Sequence, residues 1–404
     1  MARPALADLM HEWPSVQLSD VLTHYRPPAT KPEGDKPVRF AGVRWYGAGL
    51  FVREERRPED IKGKCYPLKP GTLIYNRLFA WKQSFAVVPS DYEGVVVSNE
   101  FPQFDVDPAL ASPAYLALVC SSPLFASMAL ERSSGASAVS RNRLKEEDFL
   151  DLSVPCPPVD KQEVIVKALA AVDEAIAATE AERSRLAQVL KVRRAELMNN
   201  AAFAERPAGD VFDIRLGRQR SPERSSGPSM TPYLRSANVG PDRLNLDDVM
   251  SMDFDERERE RYALRIGDVL VSEGSAGAAA VGMPAMWRGE LDGVVCFQNT
   301  LLRYRAIDSV TITDFVRHWC LWAFESEVFL NVAPAGVNIK HIGDRRAKKM
   351  LVRLPDVEEQ VRASNELDSL SEAVLGLRTE GIGLRAASAA LRDALLAGEI
   401  DIAI

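Results

Sequence analysis

The chain of 404 residues has no apolar stretch of the roughly 18 residues that a membrane span needs. Its opening, "MARPALADLMHEW", has no apolar run of the about 7–15 residues found in a signal peptide. The expectation is a cytoplasmic protein with no membrane partner. Cysteine is sparse and scattered: Cys65, Cys120, Cys156, Cys296 and Cys320 are odd in number and form no Cys-x-x-Cys pair. That argues against a disulfide framework and a cysteine zinc site, and leaves buried small hydrophobes as the expected role. The four histidines, His11, His24, His318 and His341, offer no His-x-x-x-His ligand pair.

Catalytic signatures are missing as well. No Gly-x-x-x-x-Gly-Lys-Ser/Thr loop is present, so ATP hydrolysis by this chain is not expected. "EGSAGAAAVG" (273–282) is glycine-rich but lacks the spacing of a dinucleotide loop, and reads as a turn or as a loop approaching phosphates. "PDVEEQ" (355–360) has no following Glu-x-Lys, and the aromatic Asn-Pro-Pro-Tyr-type loop of adenine methyltransferases does not occur. No recognisable array of metal-binding carboxylates supports a nuclease centre.

What is present is 46% hydrophobic and 26% charged residues, the mix of a globular protein with room for two to four domains. The formal net charge is −7, and Pro355 to Ile404, with ten acids and four bases, accounts for nearly all of it. Elsewhere bases cluster, in "KPVRFAGVR" (36–44), "SRNRLK" (140–145) and "IKHIGDRRAKK" (339–349). An acidic total therefore covers locally basic surfaces.

The chain also repeats itself. "PPVDKQEVIVKALAAV" starts at Pro157, and "PDVEEQVRASNELDSL" starts at Pro355, 198 residues later. After the first junction, apolar residues fall at Ile165, Leu169, Val172, Ile176, Leu186, Leu190 and Leu197, a heptad seam with interruptions at Thr179 and Arg183. After the second, Leu367, Leu370, Val374, Leu377, Leu384, Leu391 and Leu395 continue the same register. Asp160 with Glu163 and Asp356 with Glu359 read as capping pairs at the two helix starts. Gly376, Gly381 and Gly383 make the second helix the weaker prediction, since each costs about 1 kcal/mol relative to alanine. The 32 steps from Ile165 to Leu197, at ~1.5 Å each, would span roughly 48 Å. One turn of B-DNA is ~34 Å, so such a spacer suits a two-part DNA site, and a two-part protein ligand equally well.

The segments before each helix echo one another. "LKPGTLI" (68–74) matches "LRIGDVL" (264–270), and "GVV" at 94–96 matches "GVV" at 293–295. Short alternating runs between Gly, Pro and Asn turns read as strands, followed by helical stretches at 112–130 and 313–332. The expected fold is α+β. Two strand-rich modules, at 1–158 and 205–354, are joined by long helices at 159–204 and 355–404 that form an antiparallel coiled coil with pseudo-twofold internal repetition.

These blocks carry a resemblance. "RFAGVRWYGAGLFVRE" (39–54), "YNRLFAWKQSFAVVP" (75–89) and "VVSNEFPQFDVD" (96–107) resemble the first target-recognition domain of type I restriction-modification specificity subunits. "TPYLRSANV" (231–239) is similar to the early part of a second such domain. "CPPVDKQ" and "LPDVEEQ" resemble the Pro-Pro-x-x-x-Gln motif that opens that family's conserved helices, with Asp356 in place of the second proline. The resemblance implies a non-catalytic, DNA-binding subunit of a phage-defence system. In such a system each recognition domain reads half of a split double-stranded DNA target, and two adenine methyltransferase subunits dock on the assembly. S-adenosylmethionine, ATP and Mg2+ would belong to those methyltransferases and to a motor-nuclease subunit, with no cofactor or metal in this chain.

Base edges call for Arg, Asn or Gln, and phosphates for Lys, Ser and backbone amides. By residue type, the candidates are Arg44, Asn76, Arg77, Lys82, Asn99, Arg141, Asn142 and Arg143 in the first module. In the second they are Arg235, Asn238, Gln298, Asn299, Asn338 and Lys340. Trp45, Tyr46, Phe79, Trp81 and Phe85 could stack on a base or sit in a core. The competing reading is a duplicated, non-catalytic protein-interaction adaptor on a coiled-coil scaffold, which the near-neutral modules allow.

Overall fold

The computed structural model describes residues 13–133, 142–275, 280–333 and 340–400. The chain divides into two compact units, Met1–Ala178 with Glu380–Ile404, and Thr179–Thr379. Both long helices are split by that division, so the first unit is built from two separate pieces of sequence and the second from one.

The first unit starts with β1 (Ser15–Gln17), α1 (Leu18–Val21), β2 (Leu22–Tyr25), β3 (Val38–Val43), β4 (Leu50–Arg56), β5 (Tyr66–Pro67) and β6 (Leu73–Tyr75). It continues with β7 (Phe85–Val87), β8 (Val96–Val97), β9 (Gln103–Val106), α2 (Pro113–Cys120), α3 (Pro123–Arg132), α4 (Glu146–Leu150) and β10 (Ser153–Pro155), and leads into α5 (Val159–Met198). One sheet has the order β2-β9-β6-β7 and another the order β4-β3-β8-β5. β1 and β10 pair antiparallel, with Ser15 opposite Pro155, which closes the two ends of the module together.

Its core is aromatic. Tyr75, Phe85, Phe104, Phe125 and Phe149 are essentially inaccessible, with Tyr75 and Phe149 ring centres 4.8 Å apart. Ile165 and Leu169 from the start of α5 join this core, as do Leu395 and Leu396 from the last helix.

The second unit repeats the plan with β11 (Ala204–Pro207), α6 (Ala208–Val211), β12 (Phe212–Leu216), β13 (Met230–Leu234), β14 (Val239–Gly240), β15 (Arg243–Leu244) and β16 (Met250–Asp253). Then come α7 (Glu256–Tyr262), β17 (Val269–Ser272), β18 (Gly274–Ser275), β19 (Pro284–Met286), β20 (Cys296–Phe297), β21 (Leu301–Ala306) and α8 (Thr313–Glu325). α9 (Val328–Val332), β22 (Lys340–His341), α10 (Asp344–Lys349) and β23 (Leu351–Leu354) lead to α11 (Val357–Ala397). The sheet order β12-β21-β17-β19 matches β2-β9-β6-β7 strand for strand. Likewise, β13 lies between an antiparallel and a parallel neighbour, as β3 does.

The landmarks read in the sequence occupy equivalent places. The Leu68 N–H donates to the Val95 carbonyl at 3.0 Å, and Leu264 N–H to Val295 at 2.8 Å. Gly94 and Gly293 both have φ of +79°, a left-handed conformation that is strained for any side chain. In this second core Phe212, Tyr304, Trp319 and Phe329 pack with Leu190 and Met198 of α5 and Leu367 of α11.

α5 is 40 residues long and α11 is 41. In the first unit the beginning of α5 meets the end of α11, and Arg392 lies 3.7 Å from Asp173. In the second unit the end of α5 meets the beginning of α11, with Arg193 Nε donating to Glu366 Oε1 at 2.5 Å. The helices thus run antiparallel within each unit. Every predicted seam residue is buried or half-buried, while the positions between are mostly exposed. The glycines do not break α11, because Gly376 and Gly383 face open space, where a missing side chain forfeits no packing.

One capping prediction needs correction. Asp356 caps α11 as expected, accepting the Glu359 N–H at 2.8 Å. In α5, however, the Gln162 N–H bonds to the Pro158 carbonyl, which makes Pro158 the cap and puts Asp160 inside the first turn. There its carboxylate favours the positive end of the helix by charge. All five cysteines are buried and unpaired, as the sequence suggested.

Candidate nucleic-acid interface

The duplicated junction shows what its glutamine does. Gln162 is fully buried, and its Oε1 accepts the Ser112 N–H at 2.8 Å. Its Nε2 donates to the carbonyls of Leu110 at 3.1 Å and Pro157 at 2.7 Å. Gln360 repeats the arrangement, accepting from Ile312 N–H and donating to Val310 and Pro355, all at 3.0 Å. Each glutamine pins the start of a long helix to the loop that opens α2 or α8. It partners three backbone groups, and the bond to the proline carbonyl is fully buried. A short amide could not span that distance, and a carboxylate could not donate.

The candidate DNA-contacting residues separate into two groups. Several are committed to the fold. Arg77 pairs with Glu146 and donates to the Asn99 carbonyl at 2.6 Å. Burial is the largest influence on the Glu146 carboxylate and opposes its charge, but the Arg77 hydrogen bond, a backbone hydrogen bond and the Arg77 charge together outweigh it and hold the group below its usual range. Arg143 is bound to Glu100, and Arg235 to Asp248. Asn238 is 2% exposed, with both ends of its amide on backbone groups of Arg235, Asn245 and Asp248. It organises a loop and presents nothing to a ligand.

The other group faces outward. Arg44 and Asn99 are exposed, Lys82 is half-exposed, and Asn142, Gln298 and Asn299 are half-buried. Gln298 and Asn299 sit on a turn held by Arg218, whose carbonyl accepts the Asn299 N–H at 3.0 Å. Lys340 lies in β22 opposite Ser275 of β18. Arg141 and Asn338 lie outside the described residues, as does part of the glycine-rich 273–282 stretch.

In the first module Arg44 and Lys82 share one surface, while Asn99 lines a separate cavity with Arg77 and Glu146. The β3–β4 turn is closed by the Arg44 N–H on the Gly49 carbonyl at 2.9 Å and exposes Trp45 and Tyr46. Lys82 Nζ lies 3.6 Å from the Trp45 ring centre, and the Arg44 guanidinium 4.6 Å from that of Phe51. A cavity of about 560 Å³ lies beside the turn, with Asn76, Phe79 and Phe101 in its wall, and its charged wall residues, Arg44 and Arg53, are both cationic. Asn76 is 9% exposed and spends its Oδ1 on the Leu78 N–H. Phe85, by contrast, is core.

Comparison with known proteins follows this geometry. No family model matches the chain. It is similar to the type I restriction enzyme EcoKI specificity subunit of Escherichia coli (strain K12), 21% identical over 247 residues. That covers 57% of this chain and 53% of the relative, so the chain spans about half the length of the curated protein it matches. Solved structures agree over nearly the whole length. A crystal structure of the HsdS subunit from Thermoanaerobacter tengcongensis aligns with a TM-score of 0.56 at 17% identity, covering 96% of this chain and 97% of that one. A structure described as the basis of complex assembly and conformational transition of the type I R-M system gives 0.67 at 17% identity, over 96% and 98%.

The chain has the type I specificity-subunit fold. The type I restriction-modification S subunit from M. genitalium extends the likeness, with a TM-score of 0.53 at 11% identity over 97% of each chain. The family resemblance read from the sequence is therefore borne out. At 11–17% identity, the likeness to these solved structures is one of fold.

The specificity-subunit fold also contains a cluster that sequence reasoning missed. His318 on α8 is fully buried, with Nε2 3.1 Å from Asp368 on α11, and Arg317 bridges Asp368 and Asp242. Burial lowers the His318 pKa, with the Asp368 hydrogen bond opposing. Its only sequence signal was a histidine within an apolar helical stretch.

Proposed function

We propose that this chain is the DNA-sequence-reading subunit of a type I restriction-modification complex, non-catalytic itself, with one half-site read by each module. The observation that carries the reading is the complete duplication of module, glutamine pin and long helix, in a fold shared over almost all of its length with type I specificity subunits. The paired helices set the separation of the half-sites and carry two adenine methyltransferase subunits. S-adenosylmethionine chemistry belongs to those subunits, and ATP- and Mg2+-dependent cleavage to a motor-nuclease. Among the described residues no single helix is long and apolar enough to cross a membrane. Work on DNA beside the methyltransferases would place the chain in the cytoplasm.

The test is co-expression with methyltransferase subunits of such a system, followed by single-molecule methylome sequencing. A new split adenine-methylated motif is expected, and exchange of residues 1–158 for another recognition domain should change one half of it only. A stable complex that adds no split motif would overturn the reading in favour of the adaptor, and simultaneous change of both halves would overturn the modular assignment.

A further inference from the structure

The β3–β4 turn of the first module has a shape that the core does not explain. Tyr46 is 68% exposed and has φ of +59°, a conformation that non-glycine residues seldom adopt and that persists only where the surroundings impose it. The imposition is visible. The Tyr46 N–H donates to the Lys82 carbonyl and the Gly47 N–H to the Gln83 carbonyl, both at 2.9 Å, and Gln83 is itself left-handed at +61°. Gly47 and Gly49 complete the turn at +67° and +79°. Trp45 is fixed beneath by the Lys82 ammonium and by Phe79, 5.3 Å away between ring centres.

A rigid turn thus holds an aromatic ring out in solvent, on the wall of the cavity it shares with Arg44, while the Lys82 ammonium lies on the ring of the preceding Trp45. The stretch Arg44–Gly49 contains no acid. An exposed ring with phosphate-seeking charges in its neighbourhood matches a DNA base step, in which stacked bases lie between two phosphates. A protein partner would give the same ring a pocket but would not call for cations without a carboxylate beside it. After β13, the equivalent turn of the second module has no aromatic residue: Arg235 is held by Asp248, and Asn238 is buried.

Building on the proposed DNA-reading role, we propose that Tyr46 is a wedge that enters the base stack of the first half-site, with Arg44 and Lys82 taking the neighbouring phosphates. The wedge opens a step in the first half-site only, apart from the target adenines that the methyltransferases themselves turn out of the stack, and sequence preference there includes the ease with which a step opens, pyrimidine–purine steps being the most compliant. Tyr46 is a positioning and specificity residue, and it takes no part in methyl transfer.

The test uses the full chain in complex with methyltransferase subunits, and a duplex selected by that complex from a random pool. 2-Aminopurine is placed at successive positions of the duplex other than the target adenines, which the methyltransferases turn out of the stack themselves. The wild type should raise fluorescence at one step of one half-site. Tyr46→Ala should abolish that signal and speed dissociation by roughly tenfold, in line with loss of one stacking contact. Tyr46→Phe should keep both. Exposure of the side chain makes folding of the variants safe to expect, and unchanged melting temperatures check it. Fluorescence that stays flat in the wild type, or that survives in Tyr46→Ala, overturns the wedge. Failure of the wild-type complex to select any split motif overturns the DNA reading itself.

Discussion

The two modules share a frame and differ in what they hang on it. Arg77 and Glu273 occupy equivalent backbone positions: Arg77 N–H donates to Glu100 and its carbonyl accepts from Leu144, while Glu273 N–H donates to Thr300 and its carbonyl accepts from Ile342. Yet one is a cation gripping Glu146, and the other an anion that accepts from the Gly343 N–H at 3.1 Å and lies 2.6 Å from His341. The frame therefore fixes that a polar clasp is needed to hold the segment before α4 or α10, and leaves its sign free. Polar surfaces of the two modules can diverge this way without disturbing the core.

That comparison breaks or holds most clearly at the glutamine pins. Gln162→Leu and Gln360→Leu should each remove three hydrogen bonds to backbone, one buried and two part-buried, so a loss on the order of 2–3 kcal/mol is expected from each. Chemical denaturation measures it. Nearly equal losses are predicted, and a large inequality would mean that the repeat is geometrical but not energetic.

Acid should separate the modules more gently. With its pKa lowered below 6.5 by burial in the folded state, His318 stays neutral there while the unfolded chain takes up a proton. Stability from this source is complete above about pH 6.5 and declines as pH falls toward the folded pKa, by at most about 1.4 kcal/mol per pH unit. Hydrogen exchange at pH 7.5 and 5.5 should thus show α8 opening more readily at the lower pH than α2, which carries no histidine. Equal acceleration in both would remove His318 as the cause.

The smallest effect belongs to the helix pair. Arg193 and Glu366 form a well-aligned, two-bonded pair but are about 40% exposed, so Arg193→Ala should cost only about 0.5 kcal/mol, shrinking further in high salt. A melt at low and high ionic strength checks this. A loss several times larger would mean that charge, and not the apolar seam, decides the helix register.

How much was legible in advance depended on how local each cause was. The seams were readable because heptad spacing is a property of one helix, and Ile165, Leu169, Leu367 and Leu395 are buried where the period puts them. The strand landmarks were readable because glycines with positive φ mark the same turns twice. Base-reading candidates fared less well. Residue type identified Arg77, Arg143, Arg235 and Asn238 as donors, but carboxylates and carbonyls from 7 to 69 residues away had already claimed them, such as Glu146 for Arg77.

By itself the sequence determined the duplication, the helix faces and the strand-rich character of both modules, since periodicity and turn chemistry act within a few residues. Only the tertiary structure decided which halves of the long helices join which core, and which cations are still free to meet a ligand. It also decided that Tyr46 stands in solvent while Phe85, in the same aromatic-rich neighbourhood, is buried. The physical reason is that burial and ion pairing are settled between segments far apart in the chain, where no local pattern records the partner.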